Sequence, residues 1–341
     1  MELRASLEKK TFEFKRPSGT SRGILTEKHA WFIQVWEASN PDIKGIGECS
    51  IIIGLSPDFK DFETYESKLQ DVIANVNHYK NHLHEIVDFP SIYFGLETAL
   101  LDLKNGGKGI YFDTPFTYGK QAIPINGLVW MGDKDFMMAQ VKNVLKQGFT
   151  CIKIKIGAID FEQELSILDH IRSEYSAEEI VLRVDANGAF QPSEALQKLQ
   201  MLANFDIHSI EQPIAPGQWK LMRELCEKSP IPIALDEELI GVHDNAIREK
   251  LLSGIQPKYI ILKPSLHGGL YGTRKWIQYA EKMNIQWWIT SALESNVGLD
   301  AIAQFTSLYE PKSHQGLGTG SLYLNNVPSP LIVQGGFLRR G

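Results

Sequence analysis

The chain has little cysteine and no clustered basic charge, and each absence excludes a class of protein. Its three cysteines, Cys49, Cys151 and Cys226, are odd in number and far apart. They make neither a disulfide framework nor a zinc motif, and read as reduced thiols of a cytoplasmic protein. The formal net charge is −6, with no basic patch of the kind a nucleic-acid surface needs. No apolar run approaches the ~18 residues that cross a membrane. The opening residues, MELRASLEKK, carry no apolar stretch after their charges and do not read as a secretion signal. No segment is of low complexity. No GxGxxG follows a first strand, so a dinucleotide-binding fold has no support.

What is present suffices for a large core. Of 341 residues, 43% are hydrophobic and 22% charged, ordinary globular values. At a soft prior of ~150 residues per domain, that length suggests two domains. Residues 1–115 read as a mixed α+β unit. Thr11–Lys15 and Ala30–Glu37 alternate apolar with polar, as antiparallel strands do, and a third strand runs near Gly45–Glu48. Arg16–Gly23 is rich in Gly, Ser and Pro and reads as a mobile loop, with a second loop through Gly54–Ser56. Helical patterns cover Asp61–Tyr79 and Ser91–Leu103, the second ended by Asn105-Gly106-Gly107.

From about residue 116 to residue 317 the texture changes. Short apolar runs, from Ile123–Leu128 through Gln286–Thr290, alternate with amphipathic stretches at a steady period. Alternating strand and helix means a parallel sheet joined by right-handed crossovers. Seven or eight such units with no break at a midpoint favour a closed α/β barrel over an open sheet.

The second of these strands, Cys151–Gly157, reads CIKIKIG. Lys153 and Lys155 share one face and Ile152, Ile154 and Ile156 the other. On an edge strand such lysines merely discourage aggregation. With both faces enclosed, like charge and desolvation lower at least one lysine pKa, and a lysine becomes a general base. Cys151, on the same face, reads as barrel filling.

The strands that follow end in acids: Val184-Asp185-Ala186-Asn187, Ile210-Glu211-Gln212-Pro213 and Leu235-Asp236-Glu237-Glu238. Asp185 to Glu211 is 26 residues and Glu211 to Asp236 is 25, one βα repeat each time. Any one of these acids alone is a helix cap. Three in register converge at the C-terminal rim of a barrel, where they repel unless a cation sits among them. Hard oxygen ligands suit Mg²⁺ with open positions for water and substrate. The next strand ends in Lys263, 27 residues after Asp236. Lysines therefore flank the acids on two sides. A carboxylate held there presents its α-carbon between them, and the cation offsets the charge left by proton loss. His267, at the rim, reads as a solvated residue. His82 and His84 are spaced for one strand face but lie in a helical, surface-like stretch, so no metal is expected there.

Together the KxK pair, the DAN, EQP and DEE strand ends and the LKP strand resemble the enolase superfamily, within its muconate-lactonizing-enzyme-like group. That resemblance spans essentially the whole chain. It implies a (β/α)7β TIM-like barrel under an N-terminal α+β capping domain completed by residues 318–341. It also implies that the loops near Gly19–Gly23 and Gly54–Ser56 close over the barrel mouth. Asp185, Glu211 and Asp236 are then the ligands of Mg²⁺, with Mn²⁺ as a substitute, and the substrate is a small carboxylate. Lys155 is implied as the base, Lys153 as the neighbour that tunes it, and Lys263 as the stabiliser of an enediolate on the opposite face.

Further stretches are similar to a lyase branch of the superfamily, which eliminates water from a hydroxycyclohexadiene carboxylate on the way to menaquinone. They are Gly47-Glu48, Gly54-Leu55-Ser56, Phe94-Gly95-Leu96-Glu97, Asn126-Gly127-Leu128, Leu182–Asn187 and Thr290–Ser295. Substrate contacts implied are Ser291, Glu294, Ser21 and Arg22. Arg183 and Asn187 are implied to support the acids, although Arg183 also suits an ion pair inside the barrel. An isomerase that racemises N-acylamino acids or epimerises dipeptides shares the lysines and acids. Such epimerases carry a DxD after the last strand, where this chain reads His314–Thr319 with no acid. A non-catalytic binding protein is a third reading, disfavoured because all six residues are present. Both monomer and homo-oligomer fit the sequence.

Overall fold

The computed structural model describes residues 2–20, 23–157 and 159–341. Its first sheet has three antiparallel strands, β1 (Leu3–Thr20), β2 (Gly23–Glu37) and β3 (Asn40–Ser50), in the order β1-β2-β3. Of Arg16–Gly23, expected as a loop, the described residues 16–20 and 23 instead prolong a hairpin. Past a bulge between Glu13 and Ser18 the ladder resumes, with Ser18 opposite Leu25 and Thr20 opposite Gly23. Ser21 and Arg22 lie outside the described residues.

Helices α1 (Phe62–Ala74), α2 (Val76–Tyr79) and α3 (Pro90–Lys104) pack on this sheet. The single helix expected over Asp61–Tyr79 is broken at Asn75. Asp61 caps its start, accepting from the Thr64 N–H at 2.7 Å. Helix α3 lies almost on β3. A Cβ on Gly47 would stand 1.8 Å from the Gly95 carbonyl oxygen, and one on Gly95 2.2 Å from Cys49 Sγ. Two of the signature stretches, Gly47-Glu48 and Phe94–Glu97, thus carry glycine because the helix and strand backbones touch there.

The second sheet is parallel. Strands β5 (Gly127–Val129), β6 (Cys151–Lys155), β7 (Val181–Asp185), β8 (Ser209–Glu211), β9 (Ile233–Leu235), β10 (Tyr259–Leu262) and β11 (Gln286–Ile289) are neighbours in chain order. Helices α4 (Lys134–Lys146), α5 (Phe161–Glu174), α6 (Pro192–Leu202), α7 (Trp219–Lys228), α8 (Asn245–Ile255), α9 (Gly269–Lys282) and α10 (Asn296–Ser307) alternate with them.

Among the described residues the sheet closes through Gln315 and Gly316. Gln315 bridges Ile125, and Gly316 bridges Thr290. Gln315 N–H donates to the Pro124 carbonyl at 2.8 Å, and Gly316 N–H to the Ile289 carbonyl at 2.8 Å. Gly316 is required at this seam, since a Cβ would meet Thr290 Oγ1 at 2.1 Å. The architecture is a (β/α)7β barrel with a minimal eighth strand. Its core is the isoleucine, leucine and valine layer between strands and helices.

Ile123–Pro124 (β4) falls outside the barrel sheet. It pairs with the C-terminal hairpin β12 (Leu331–Gln334) and β13 (Phe337–Arg340), at the barrel end opposite the strand C-termini. The tail therefore divides. Leu324 N–H donates to Glu13 at 2.9 Å and Lys15 N–H to Leu322 at 2.8 Å, joining the capping sheet. Residues 331–340, expected there too, cover the barrel floor instead, with Arg340 paired to Asp300 of α10 at 3.2 Å.

Two glutamates of the capping domain, the buried Glu48 and the half-buried Glu97, anchor it to the barrel. Glu48 accepts from Ser295 N–H at 2.8 Å, Ser295 Oγ at 2.6 Å and Gly298 N–H at 2.9 Å, at the start of α10. Glu97 accepts from Leu270 N–H at 2.6 Å and Tyr271 N–H at 3.1 Å, in the first turn of α9, whose own N-cap is Gly268. Each supplies from another domain the acceptor that a helix N-terminus lacks.

Candidate active site

Six side chains come from the C-terminal ends of consecutive strands. Lys155, Asp185 and Glu211 close β6, β7 and β8, with Lys155 beside Asp185 and Asp185 beside Glu211 in register. Asp236 follows β9 and Lys263 follows β10 at once. Strand β6 is interior, between β5 and β7, so its lysines are not the protected edge of a sheet. Both are largely enclosed: the Lys155 and Lys153 side chains are 10% and 14% exposed.

Lys153 Nζ lies 2.9 Å from both Asp185 and Glu211, and Lys155 Nζ 3.0 Å from Asp185. Lys263 Nζ is bonded to Asp236. At Lys153 this pairing runs against the lowering that burial alone would bring. Burial works to lower the Lys153 pKa, but the charges of Asp185, Glu211 and Asp236 outweigh it and hold the ammonium well above its ordinary value. Lys263 is held up in the same way against burial, chiefly by Asp236. Asp185 is correspondingly driven well below the carboxylate range by Lys153 and Lys155, although burial opposes this.

The acids fit a divalent cation. All three are buried, and Glu211 Oε1 and Asp236 Oδ1 have no hydrogen-bond donor among the described residues. Desolvation and then the Asp185 charge push the Glu211 carboxyl well above its ordinary value, while Lys263 holds Asp236 down. Glu211 and Asp236 face each other as acceptor and acceptor, so either a proton or a cation must lie between them. Lys153 stands between two of the acids as a cation would. Gln212 holds the arrangement from behind, in the left-handed region at φ 38°. Its Oε1 accepts from the Asp236 and Glu238 N–H groups at 3.2 Å each.

The mouth above these groups is a cavity of about 330 Å³. Its floor holds Lys153, Lys155 and Lys263; its roof includes Ile24 from the β1–β2 hairpin and Ile53 and Leu55 from the loop after β3. Ser291 lines it and exchanges a hydrogen bond with Thr319 at 2.6 Å. Asn187 accepts from Lys155 Nζ at 2.6 Å and donates to Glu237 at 3.0 Å.

Three expectations fail here. Glu294 is wholly buried outside the cavity, accepting from Ser265 Oγ at 2.5 Å, so it is placed to hold the loop after β10 rather than a substrate. Among the described residues Arg183 meets neither an acid nor an internal ion partner. One turn of the pleat deeper than Asp185, it lies 4.1 Å over the Trp288 ring and donates to the His314 carbonyl at 2.9 Å. His267 is not solvated but fully buried. Burial pushes its pKa down to about 3, and the neutral ring accepts the Lys263 N–H at Nδ1, 3.1 Å away. Thr319 and Gln212 were missed, though a polar residue directly after a strand-end acid, as in Glu211-Gln212, is a usable signal for the latter.

Residues 137–340 match the family described as enolase C-terminal domain-like, and the chain belongs to that family, within the enolase superfamily. At closer range it groups with the o-succinylbenzoate synthases. It is 46% identical to "o-succinylbenzoate synthase" of Desulfotalea psychrophila over 95% of each chain. The crystal structure of MenC from the same organism superposes with a TM-score of 0.87 over 99% of each chain, at 41% identity. The fold alone is shared with a dipeptide epimerase from Cytophaga hutchinsonii, solved with Mg and dipeptide D-Ala-L-Val, at TM-score 0.84 and 22% identity over 99% of this chain and 93% of that one.

Proposed function

We propose that this protein dehydrates 2-succinyl-6-hydroxy-2,4-cyclohexadiene-1-carboxylate to o-succinylbenzoate and water, a lyase step of menaquinone biosynthesis in the cytoplasm. The observation that carries the choice of substrate is the 46% identity, over nearly the full length, to a relative of that name. The cavity supports it chemically, with amines on either side of a cluster of acids.

Asp185, Glu211 and Asp236 are the residues that would hold Mg²⁺, which when bound offsets negative charge on the substrate carboxylate. Lys155, as the free amine, takes the proton from the ring carbon bearing that carboxylate. The C–H electron pair passes into the carboxylate as an enediolate. Lys263, an ammonium on the facing side, stabilises the added charge. Collapse of the enediolate forms the ring double bond and breaks the C–O bond. Lys155 returns its proton to the departing hydroxide, which leaves as water. Aromatisation drives the second step, so the residues need only lower the barrier to the first. Lys153, anchored to Asp185 and Glu211, keeps its charge beside Lys155 and fixes the acids. The roof residues Ile24, Ile53 and Leu55 keep water from the carbanion.

Lysines on both faces would also serve two-sided proton transfer on an N-acylamino acid. Assay of purified protein with the cyclohexadiene substrate and Mg²⁺, then with chelator, tests the lyase reading. Turnover lost on chelation is expected. No turnover, together with solvent deuterium entering the α-position of an N-succinylamino acid, would assign the isomerase instead.

A further inference from the structure

Away from the barrel mouth, one face of the capping domain gathers residues that the reaction does not use. Helix α2 is a single turn ending at Tyr79, and a second turn, Leu83–Ile86, follows it at once. Bonds from Asn81 N–H to the His78 carbonyl, from His82 N–H to Tyr79 and from Glu85 N–H to His82 carry the winding through the joint. His78 and His82 therefore share one side, although the sequence pattern pointed to His82 and His84. Their rings stack at 4.4 Å with an interplanar angle of 11°. Glu85 returns to the same side, its Oε2 2.7 Å from His78 Nε2. His84 stands apart, its ring 6.0 Å from that of His82 and tilted by 55°.

We infer that His78, His82 and Glu85 form a surface site for a borderline divalent transition-metal ion of the Zn²⁺ class, separate from the acids in the barrel and independent of the reaction proposed for them. One ligand atom from each lies within 4.8 Å of the others, so small side-chain rotations bring them to the ~2.0–2.2 Å metal distances such ions require. The tautomer is already set. His82 Nδ1 lies 3.0 Å from the His78 carbonyl, which only accepts, so Nδ1 carries the proton and, in the neutral ring a metal requires, Nε2 carries the lone pair. A ring nitrogen donating to a backbone carbonyl is the support that ligating histidines use. Two imidazoles with one carboxylate select Zn²⁺, Ni²⁺ or Cu²⁺ over Mg²⁺. Contact with His78 holds the Glu85 carboxyl below its ordinary value, and it is a ready anionic ligand. With three protein ligands the ion keeps an open position for water. The ion would fasten the joint that carries buried Ile86 beneath the sheet.

The test is calorimetric titration of the full-length protein with ZnCl₂ in saturating Mg²⁺, beside H82A and E85Q. The wild type should take up one Zn²⁺ more than H82A, and its Tm should rise with Zn²⁺ where that of H82A does not. E85Q should bind at least about 10-fold more weakly. Mg²⁺-dependent turnover should match in all three. Equal Zn²⁺ stoichiometry in wild type and H82A, or undiminished affinity in E85Q, would overturn the site; if H82A does not fold, E85Q decides alone.

Discussion

At the scale of single residues, the site is a balance of charge rather than a display of it. Three acids and three lysines compensate one another in the barrel mouth, and the amines already occupy the places that a cation and a substrate would contest. A substitution that removes one of these acids, or the support behind it, should therefore harm binding before it harms the fold. D236N should abolish tight Mg²⁺ binding, measured by equilibrium dialysis, while its circular dichroism stays that of the wild type. Q212A should weaken Mg²⁺ by about 10–100-fold, because two N–H groups beside Asp236 lose their acceptor. The acids and lysines were legible because they recur at the βα period on strand ends. Arg183, Glu294 and His267 were not. Strand alternation gives the face a side chain takes but not its depth, and Arg183, two residues before Asp185, turns to Trp288 below the mouth. The raised Lys153 pKa was not legible for a related reason. The sequence places Lys153 and Lys155 side by side, and only the fold shows how closely Asp185 and Glu211 approach Lys153.

At the scale of elements, the contacts that matter cross between domains at helix starts. Glu97 has its pKa raised to about 8 by burial, against the opposing pull of the Leu270 and Tyr271 N–H groups. A carboxyl raised in the folded state adds stability that is complete below its unfolded pKa and is lost as pH rises through the folded value. Denaturation of the wild type should accordingly show stability falling between about pH 4.5 and pH 8, by on the order of a few kcal/mol. In E97Q that slope should flatten; an unchanged slope would remove Glu97 as its source. Glu48 makes three hydrogen bonds to the start of α10. E48A should cost roughly 3 kcal/mol or more in urea unfolding, since buried donors are left unmet. Helix and strand placement was largely legible from periodicity. The split of the long helix at Asn75 and the extension of the first hairpin were not, because tertiary packing overrides local preference at both.

For the whole molecule, barrel and cap are complementary halves of one cavity. The barrel supplies the charged floor and the cap the apolar roof, with Ile24, Ile53 and Leu55 reaching over Lys155 and Lys263. Barrel closure at Gln315, which bridges Ile125, and the covering of the barrel's opposite end by residues 331–340, where Phe337 pairs with Pro124, depend on pairings about 200 residues apart. No local pattern announces a two-residue strand or a tail that divides between two domains, whereas the repeating units announced the barrel itself. Among the described residues no helix is long and apolar enough to cross a membrane.

The central claim is that Lys155 moves the proton. Single-turnover dehydration by K155A, in Mg²⁺ and beside wild type, tests it most directly. The account predicts a rate lower by at least about 10²–10⁴-fold, with Mg²⁺ affinity and Tm close to those of the wild type. Undiminished dehydration by K155A would contradict it.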